Sequence, residues 1–337
     1  MIRTMILNNN IFKRAKSLTT VCLTTVTLFG AQQGWTQEFP TKAIKVIVPF
    51  AAGGPADIVT RQVAASMSPI LGQPMVIENV TGAAGIVGTK MGAAAAPDGY
   101  TLLLGGTGTH TTNEFLYPSL PYDSDKDFAP IVLMYKAINV FVVPADSPIK
   151  TLADLIKQAK SEPGRMNYGL GAIGSSSHLS FEQFKKEAGI NIVGIPYKGM
   201  VPAYTDMMGG RIQVMPNDIS NASEQISSGK LRALAVTAAE RFRYLPDIPT
   251  VAEAGFPGFE GVGWGGLYAP ANTPTAIIKK IAAAAAQAYQ TDELKQAMHA
   301  RKVELVESTP EIFAAFIVKE RKKWQQVIRE ANIKLEQ

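Results

Sequence analysis

Cysteine occurs once in the 337 residues, at Cys22. That position falls inside an export leader, so the mature chain has none, and disulfides and thiolate chemistry are excluded. Histidine is nearly as scarce. His110, His178 and His299 form no H-E-x-x-H pair and no other spacing suited to a metal. No G-x-S-x-G nucleophile elbow occurs anywhere in the chain. No cluster of lysine and arginine is interleaved with aromatics, which argues against nucleic acid as a partner. These absences leave no metal, no cofactor and no recognisable catalytic constellation.

The leader itself is explicit. Arg3, Lys13, Arg14 and Lys16 are basic, no acid precedes Glu38, and residues 18–29 form a threonine-rich apolar core. Small residues follow at Gly30, Ala31 and Gly34. An apolar core of about a dozen residues is too short to span a bilayer and reads as an export signal over residues 1–36. Gly30, Ala31 and Thr36 are all tolerable cleavage ends. Cys22 follows Val21 rather than a small residue and makes a poor lipidation site. Removing the leader takes four of the 33 lysines and arginines and none of the 28 acids. The remaining 29 against 28 make the overall pI of about 9.1 uninformative about partners. The basic run at residues 319–323 lies on a helical pattern and reads as a solvated face. A periplasmic monomer is expected, with about 300 mature residues suggesting two domains.

What is present centres on residues 45–58. Val46, Ile47 and Val48 are β-branched and suit a strand buried on both faces. Ala51, Ala52, Gly53 and Gly54 carry almost no side-chain atoms, so a ligand can reach the backbone. Pro55 fits the first position of a helix that continues through Ile58, Val59, Val63 and Met67. A bare loop ending at a helix N-terminus offers unpaired N–H groups and a partial positive charge to an anion. This stretch reads as half of a carboxylate site.

Strand, loop and helix signals then recur. Strands are expected at 74–79 and 100–104, with glycine-rich loops after each, indicating a parallel sheet with its ligand side at the strand ends. Residues 118–130 are a polar excursion, and residues 131–134 and 139–143 are extended. Thr151 and Asp154 come close to a capping box for the next helix. Further strands are expected at 166–168, 192–195, 211–215 and 231–236. Helices are expected at 179–188 and through Asp206 to Met208, and Thr250 to Glu253 reads as a second capping box opening a short helix. Residues 261–268 form a return crossing, followed by helices at 274–290 and 310–331. The whole reads as two alternating α/β lobes joined by two crossings, a hinged clamshell. The first domain comprises 37–138 with 264–337 and the second comprises 139–263. One local echo links the lobes: Pro55-Ala56 and Pro202-Ala203 are each followed by an acid, Asp57 and Asp206, read at a helix start.

Several motifs admit chemical and plain structural readings. Gly169-Leu-Gly-Ala-Ile-Gly174 matches a dinucleotide fingerprint, but the following strand ends in Pro196-Tyr197-Lys198, with no acid for a ribose. A flexible loop at a helix start is the better reading. Ser175, Ser176, Ser177 and His178 invite a nucleophile–base assignment, yet neighbours at a helix start do not face one another. The serines are ordinary caps and ordinary donors to a carboxylate. Asp57 and Asp206 are favoured in a first helical turn whatever the function; either could receive a ligand ammonium. Lys198 could pair with a carboxylate or simply be solvated. Phe50 and Tyr197 could line a pocket or belong to the core.

Taken together, residues 48–57, 96–103, 122–130, 174–179, 196–199 and 245–255 resemble the Bug family, the periplasmic solute-binding receptors of tripartite tricarboxylate transporters. The resemblance covers essentially everything after the leader. It implies a two-lobed, type II-like Venus-flytrap binding protein with two doubly wound α/β domains, a two-strand hinge and no enzymatic activity. It further implies a small carboxylate ligand, whether dicarboxylate, acidic amino acid or aromatic acid, delivered to membrane permease subunits. Two facing loops would hold one carboxylate through main-chain groups. The first carries Phe50, Ala51, Gly53, Gly54 and Asp57, and the second Tyr197, Lys198, Gly199, Pro202, Ala203 and Asp206. The rest of the solute would meet Thr107, Thr109, His110, Ser175, Ser176, Ser177 and Asp218. One departure concerns the far end of the site, where family members carry an Asp-Asn pair and this chain reads Pro216-Asn217-Asp218. Two alternatives use the same residues differently: an exported hydrolase built on Ser175 and His178, and a solute sensor docking on a kinase ectodomain.

Overall fold

The computed structural model describes residues 39–197 and 199–335, so the leader, Cys22 and Lys198 lie outside the described residues. Strand β1 (Ile44–Val48) is the buried β-branched run, and it pairs in parallel with β2 (Met75–Asn79) and β3 (Thr101–Gly106). Helices α1 (Pro55–Leu71) and α2 (Ile86–Ala93) make the crossovers. Helix α1 starts on Pro55, where a missing N–H costs nothing, and ends at Gly72 in the left-handed conformation. A π-helical turn over residues 108–112 and the short α3 (Asn113–Leu116) lead to β4 (Phe128–Ala137).

Only Ile138 separates β4 from β5 (Asn139–Pro144), the first strand of a second sheet. There follow α4 (Leu152–Ser161), β6 (Asn167–Leu170), α5 (Ser176–Ala188), β7 (Val193–Pro196), α6 (Met200–Met208), β8 (Met215–Asp218), α7 (Ile219–Ser227) and β9 (Leu231–Val236). Residues 237–262 return the chain to β10 (Gly263–Pro270), then α8 (Thr275–Ala288), α9 (Asp292–Ala300), β11 (Glu304–Leu305) and α10 (Pro310–Glu330).

The first sheet has the order β11-β4-β10-β3-β1-β2. The second comprises β8-β5-β9 and the pair β6-β7, joined by a parallel bridge between Tyr168 and Val214. Apart from the two-residue β11, both sheets follow one plan. Their first strand lies between their second and third, and an antiparallel strand arriving from the other lobe separates third from fourth. That incoming strand is β10 in the first sheet and β5 in the second. This is the two-lobed, type II-like architecture expected, with the two crossings embedded in the sheets they enter.

Apolar clusters cover both faces of the second sheet. One is built on Phe141, Phe181 and Phe184, the other on Val140, Met207 and Phe242. A third, around Leu103, Trp264, Tyr268 and Phe313, fills the first lobe. Helix α10 belongs to neither lobe alone. Trp324, Val327 and Ile328 pack with Leu116 and with Leu179 of α5, and Glu330 pairs with Lys186 of α5.

Strand β10 shows why its glycines are needed. A Cβ on Gly266 would lie 2.3 Å from the Phe313 ring and 2.7 Å from the carbonyl oxygen of Val132. Phe313 is fully buried and the carbonyl belongs to the sheet, so neither can yield. Gly266→Ala should therefore cost about 1–3 kcal/mol, the usual penalty for overpacking. A lowered urea midpoint at unchanged slope would show it, and Phe313→Leu in the same chain should restore part of the loss.

Three local expectations are corrected. The box at Thr250 forms, with Thr250 N–H donating to Glu253 at 2.8 Å and Glu253 N–H to Thr250 Oγ1 at 3.0 Å, but it closes a turn rather than opening a helix. Gly255 at φ 113° and Pro257 end the segment before a second turn can form. The strand expected at 211–215 runs instead from Met215 to Asp218, because Met215 to Asp218 is the segment that pairs with β5. Asp206 is not in a first turn: α6 begins at Met200, which places Asp206 near its C-terminal end. The echo between Asp57 and Asp206 is one of sequence only.

Candidate functional site

The loop from β1 to α1 is shaped by Asp57. Its carboxylate, on a residue 2% exposed, accepts Gly53 N–H at 2.8 Å, Arg61 Nε at 3.0 Å and Asn79 Nδ2 at 2.8 Å. Burial alone would push this carboxyl up, but those three donors outweigh it and hold it below the usual aspartate value. Gly53 supplies a positive φ of 78° that the turn requires, and Gly54 N–H donates to Ala51 O at 3.2 Å. The first bond into α1 is Ile58 N–H to Gly54 O at 3.0 Å. The N–H groups of Ala56 and Asp57 precede that bond and have no acceptor within the helix. Asp57 thus holds the loop in shape from behind, and its carboxylate does not line the cleft.

Helix α5 opens in the same way from the other lobe. Ser175 is its N-cap, accepting His178 N–H at 3.3 Å while its own hydroxyl donates to Ala172 O at 2.9 Å. The bond from Leu179 N–H to Ser175 O leaves the N–H groups of Ser176 and Ser177 ahead of the first helical acceptor. The His178 imidazole faces away from this chemistry. Its Nδ1 accepts Gly174 N–H at 3.0 Å, so the neutral ring carries its proton on Nε2. Burial lowers its pKa to about 4. Ser175 meets the backbone of His178 and not its ring, an arrangement without the nucleophile–base contact a hydrolase needs.

Helix α6 starts after Gly199, whose φ of 94° again requires glycine. Helix α7 is different, because its N-terminus is already occupied. Asp218 caps it, with Oδ1 accepting both Ser220 N–H at 2.7 Å and Ser220 Oγ–H at 2.5 Å.

These elements meet at a cleft of about 670 Å³. Phe50, Ala51 and Gly54 enter from the first loop, with Pro55 and Ala56 of α1. Ser175 to Ser177, Gly171, Ala172, Gly199 and Met200 enter from the second lobe. Tyr135, Ala137 and Asn139 of the crossing strand form the floor, with Asn217, Asp218 and Asn221 beside them. A contiguous recess of about 180 Å³ extends towards Thr107 and Trp264 and shares Phe50, Tyr135 and Ser176 with the cleft. Among the described residues lining either space, Asp218 is the only charged side chain. Its carboxyl is pushed up by burial, against the lowering effect of Ser220. Burial, then the Asp218 charge, also raises the Tyr135 phenol.

Of the expected site residues, Phe50, Ala51, Gly54, Ser175, Ser176, Ser177, Gly199 and Asp218 are brought together here, with Thr107 in the recess. Others lie elsewhere. Gly53 borders an adjoining pocket of about 190 Å³ that it shares with Ile58 and Arg301. Thr109 is buried, bonded to Gly106 N–H at 3.1 Å and lying 2.9 Å from the His110 ring. His110 stacks on Tyr268 at 4.0 Å inside the first lobe, where burial and then the Arg321 charge lower its pKa to about 3. It is a core residue. Tyr197 donates to Asp206 at 2.8 Å and packs against the second lobe. Pro202 is exposed on α6 and Ala203 is in the core. Lys198 lies outside the described residues.

Tyr135, Asn139 and Asn221 are lining residues that motif reading passed over. Asn139 did carry a signal, as a single amide between Ile138 and Val140 in an otherwise apolar stretch. It bonds Gly261 O at 2.9 Å and ties the two crossings together.

Known proteins resemble this chain in sequence and in fold. The family model for the tripartite tricarboxylate transporter family receptor matches residues 59–333. Protein BugT of Bordetella pertussis is 36% identical over 298 residues, covering 88% of this chain and 91% of that one. Among solved structures, R. palustris Rpa4515 with adipate superposes with a TM-score of 0.79 at 33% identity, covering 88% of this chain and all of that one. MatC from Rhodopseudomonas palustris with bound malate gives 0.74 at 34% identity, covering 86% of this chain and 100% of that one.

Proposed function

Because the chain belongs to the tripartite tricarboxylate transporter receptor family, we propose that it is a periplasmic receptor for a small carboxylate. Its lobes, 37–138 with 264–337 and 139–263, close on the acid and present it to membrane permease subunits. The observation that carries this reading is the convergence of the N-termini of α1, α5 and α6 on one cleft of about 670 Å³. No basic side chain lines that cleft among the described residues. Backbone N–H groups aligned with helix dipoles stabilise an anion without a counter-charge that would also attract unrelated anions. The adipate and malate bound by two solved relatives support a carboxylate of that size.

The direct test is mass spectrometry of ligand released from freshly purified, denatured protein. Ligand-free protein should then be melted with a panel of C4–C6 acids. At a hundred times Kd a true ligand adds about 2.7 kcal/mol, which for a chain this long is a rise of about 4 °C. No shift with any acid would count against the reading, and chemical conversion of a bound acid would favour the hydrolase.

A further inference from the structure

The geometry points to a ligand that is not a plain dicarboxylate: besides the carboxylate held by helix N-termini it carries a positively charged nitrogen, received by Asp218. This rests on the receptor reading above. Beside hydroxyl, amide, backbone and aromatic groups the cleft is lined by small aliphatic side chains and Met200, and its one charge among the described residues is negative. Capping α7 accounts for half of that carboxylate. Both bonds from Ser220 fall on Oδ1, and Oδ2 accepts none among the described residues.

An acid filling the cleft displaces water from Oδ2. An ammonium returns a charge-assisted hydrogen bond there. A second carboxylate would instead face a like charge, and one of the two would have to take up a proton. Tyr135 is the titratable neighbour that feels Asp218 across the floor. Its phenol can donate one hydrogen bond but cannot neutralise the pair. A polar cap alone would not need an acid, since asparagine or serine caps a helix as well. That equivalence is also what makes the test clean.

Succinate, glutarate and adipate should each be titrated calorimetrically against their α-amino derivatives and against ω-amino monocarboxylates of the same length. The wild-type chain should bind at least one amino form about tenfold or more tighter than its parent diacid, a difference of about 1.4 kcal/mol. Asp218→Asn and Asp218→Ser, both able to keep the cap, should remove that preference while retaining the melting temperature. Equal ratios in wild type and both variants overturn the assignment. So does diacid binding that tightens as pH falls only while Asp218 is present, since the aspartate would then be a protonated donor to a second carboxylate. If no acid binds ligand-free protein, the receptor reading itself falls, an outcome distinct from equal ratios.

Discussion

Gly54→Val should reduce carboxylate binding below detection, by about a thousandfold or more, which is about 4 kcal/mol. Gly54 is the N-cap of α1 and faces the cleft. Its φ of −73° is open to any residue, and an added Cβ would meet Ala51 O at 3.2 Å, a contact that a shift of a few tenths of an ångström relieves. The fold should therefore survive, as circular dichroism would show. What does not survive is access, because a branched side chain stands between the solute and the N–H groups of Ala56 and Asp57. Two charge-assisted hydrogen bonds, each about 1.5–3 kcal/mol, are then out of reach. Lys198→Met is the control for the rival view, in which a single ammonium holds the anion. It should weaken binding less than about tenfold. Both variants must be titrated at one salt concentration, because screening blurs a lysine contact more than a buried amide one. Loss of binding in Lys198→Met with retention in Gly54→Val would reject the helix-terminus mechanism.

Acid should unfold the protein well before its carboxylates are exhausted. His178 and His110 are buried as neutral rings, with pKa values lowered from 6.5 to about 4 and about 3. A histidine whose folded pKa is depressed contributes stability that is complete above its unfolded value and disappears as pH falls towards the folded one. Below pH 6.5 the unfolded chain binds protons that the folded chain refuses, at about 1.4 kcal/mol per pH unit for each ring. At about pH 4.5 the two together remove roughly 5 kcal/mol, a large share of a typical total stability. Asp218 and Glu114, whose carboxyls are raised chiefly by burial, oppose part of this. Asp57 loses its contribution only below the ordinary carboxylate value. Urea midpoints compared near neutrality and near pH 4.5 would measure the loss. His178→Asn can keep an acceptor for Gly174 N–H without titrating, so its pH dependence should be distinctly shallower. Parallel curves for variant and wild type would mean that His178 is not a source of the effect.

The pattern of lobes and crossings was legible in the sequence because its signals are local. The β-branched run at 46–48, Pro55 at a helix start and the turn glycines each act within a few residues. The serine-capped start of α5 and the bare loop before α1 were found for the same reason. What escaped depends on partners distant in sequence. Strand β8 is defined by its pairing with β5, so the strand pattern at 211–215 misplaced it. The family resemblance made His110 a solute contact, but Tyr268, from the return strand, holds it in the core. Asp57 and Asp206 looked alike in sequence, yet one secures a loop and the other lies near the end of a helix. Tyr135 and Asn139 line the cleft only because the strand that carries them is also the passage between lobes.

That passage places Asp218 beside the pivot. Ile138 alone separates the strand of one lobe from the strand of the other. Asn139 is in register with Asp218, and Ile219 N–H donates to Ile138 O at 2.9 Å. A rigid body turning about a fulcrum moves least near the fulcrum and most at its rim. If a solute reaches Asp218 as proposed, ill-fitting atoms there would act on the short arm of a lever, and a fraction of an ångström would become a wide gap where the outer edges of the lobes should meet. On the proposed reading, discrimination at Asp218 would in this way be converted into the overall angle of the clamshell.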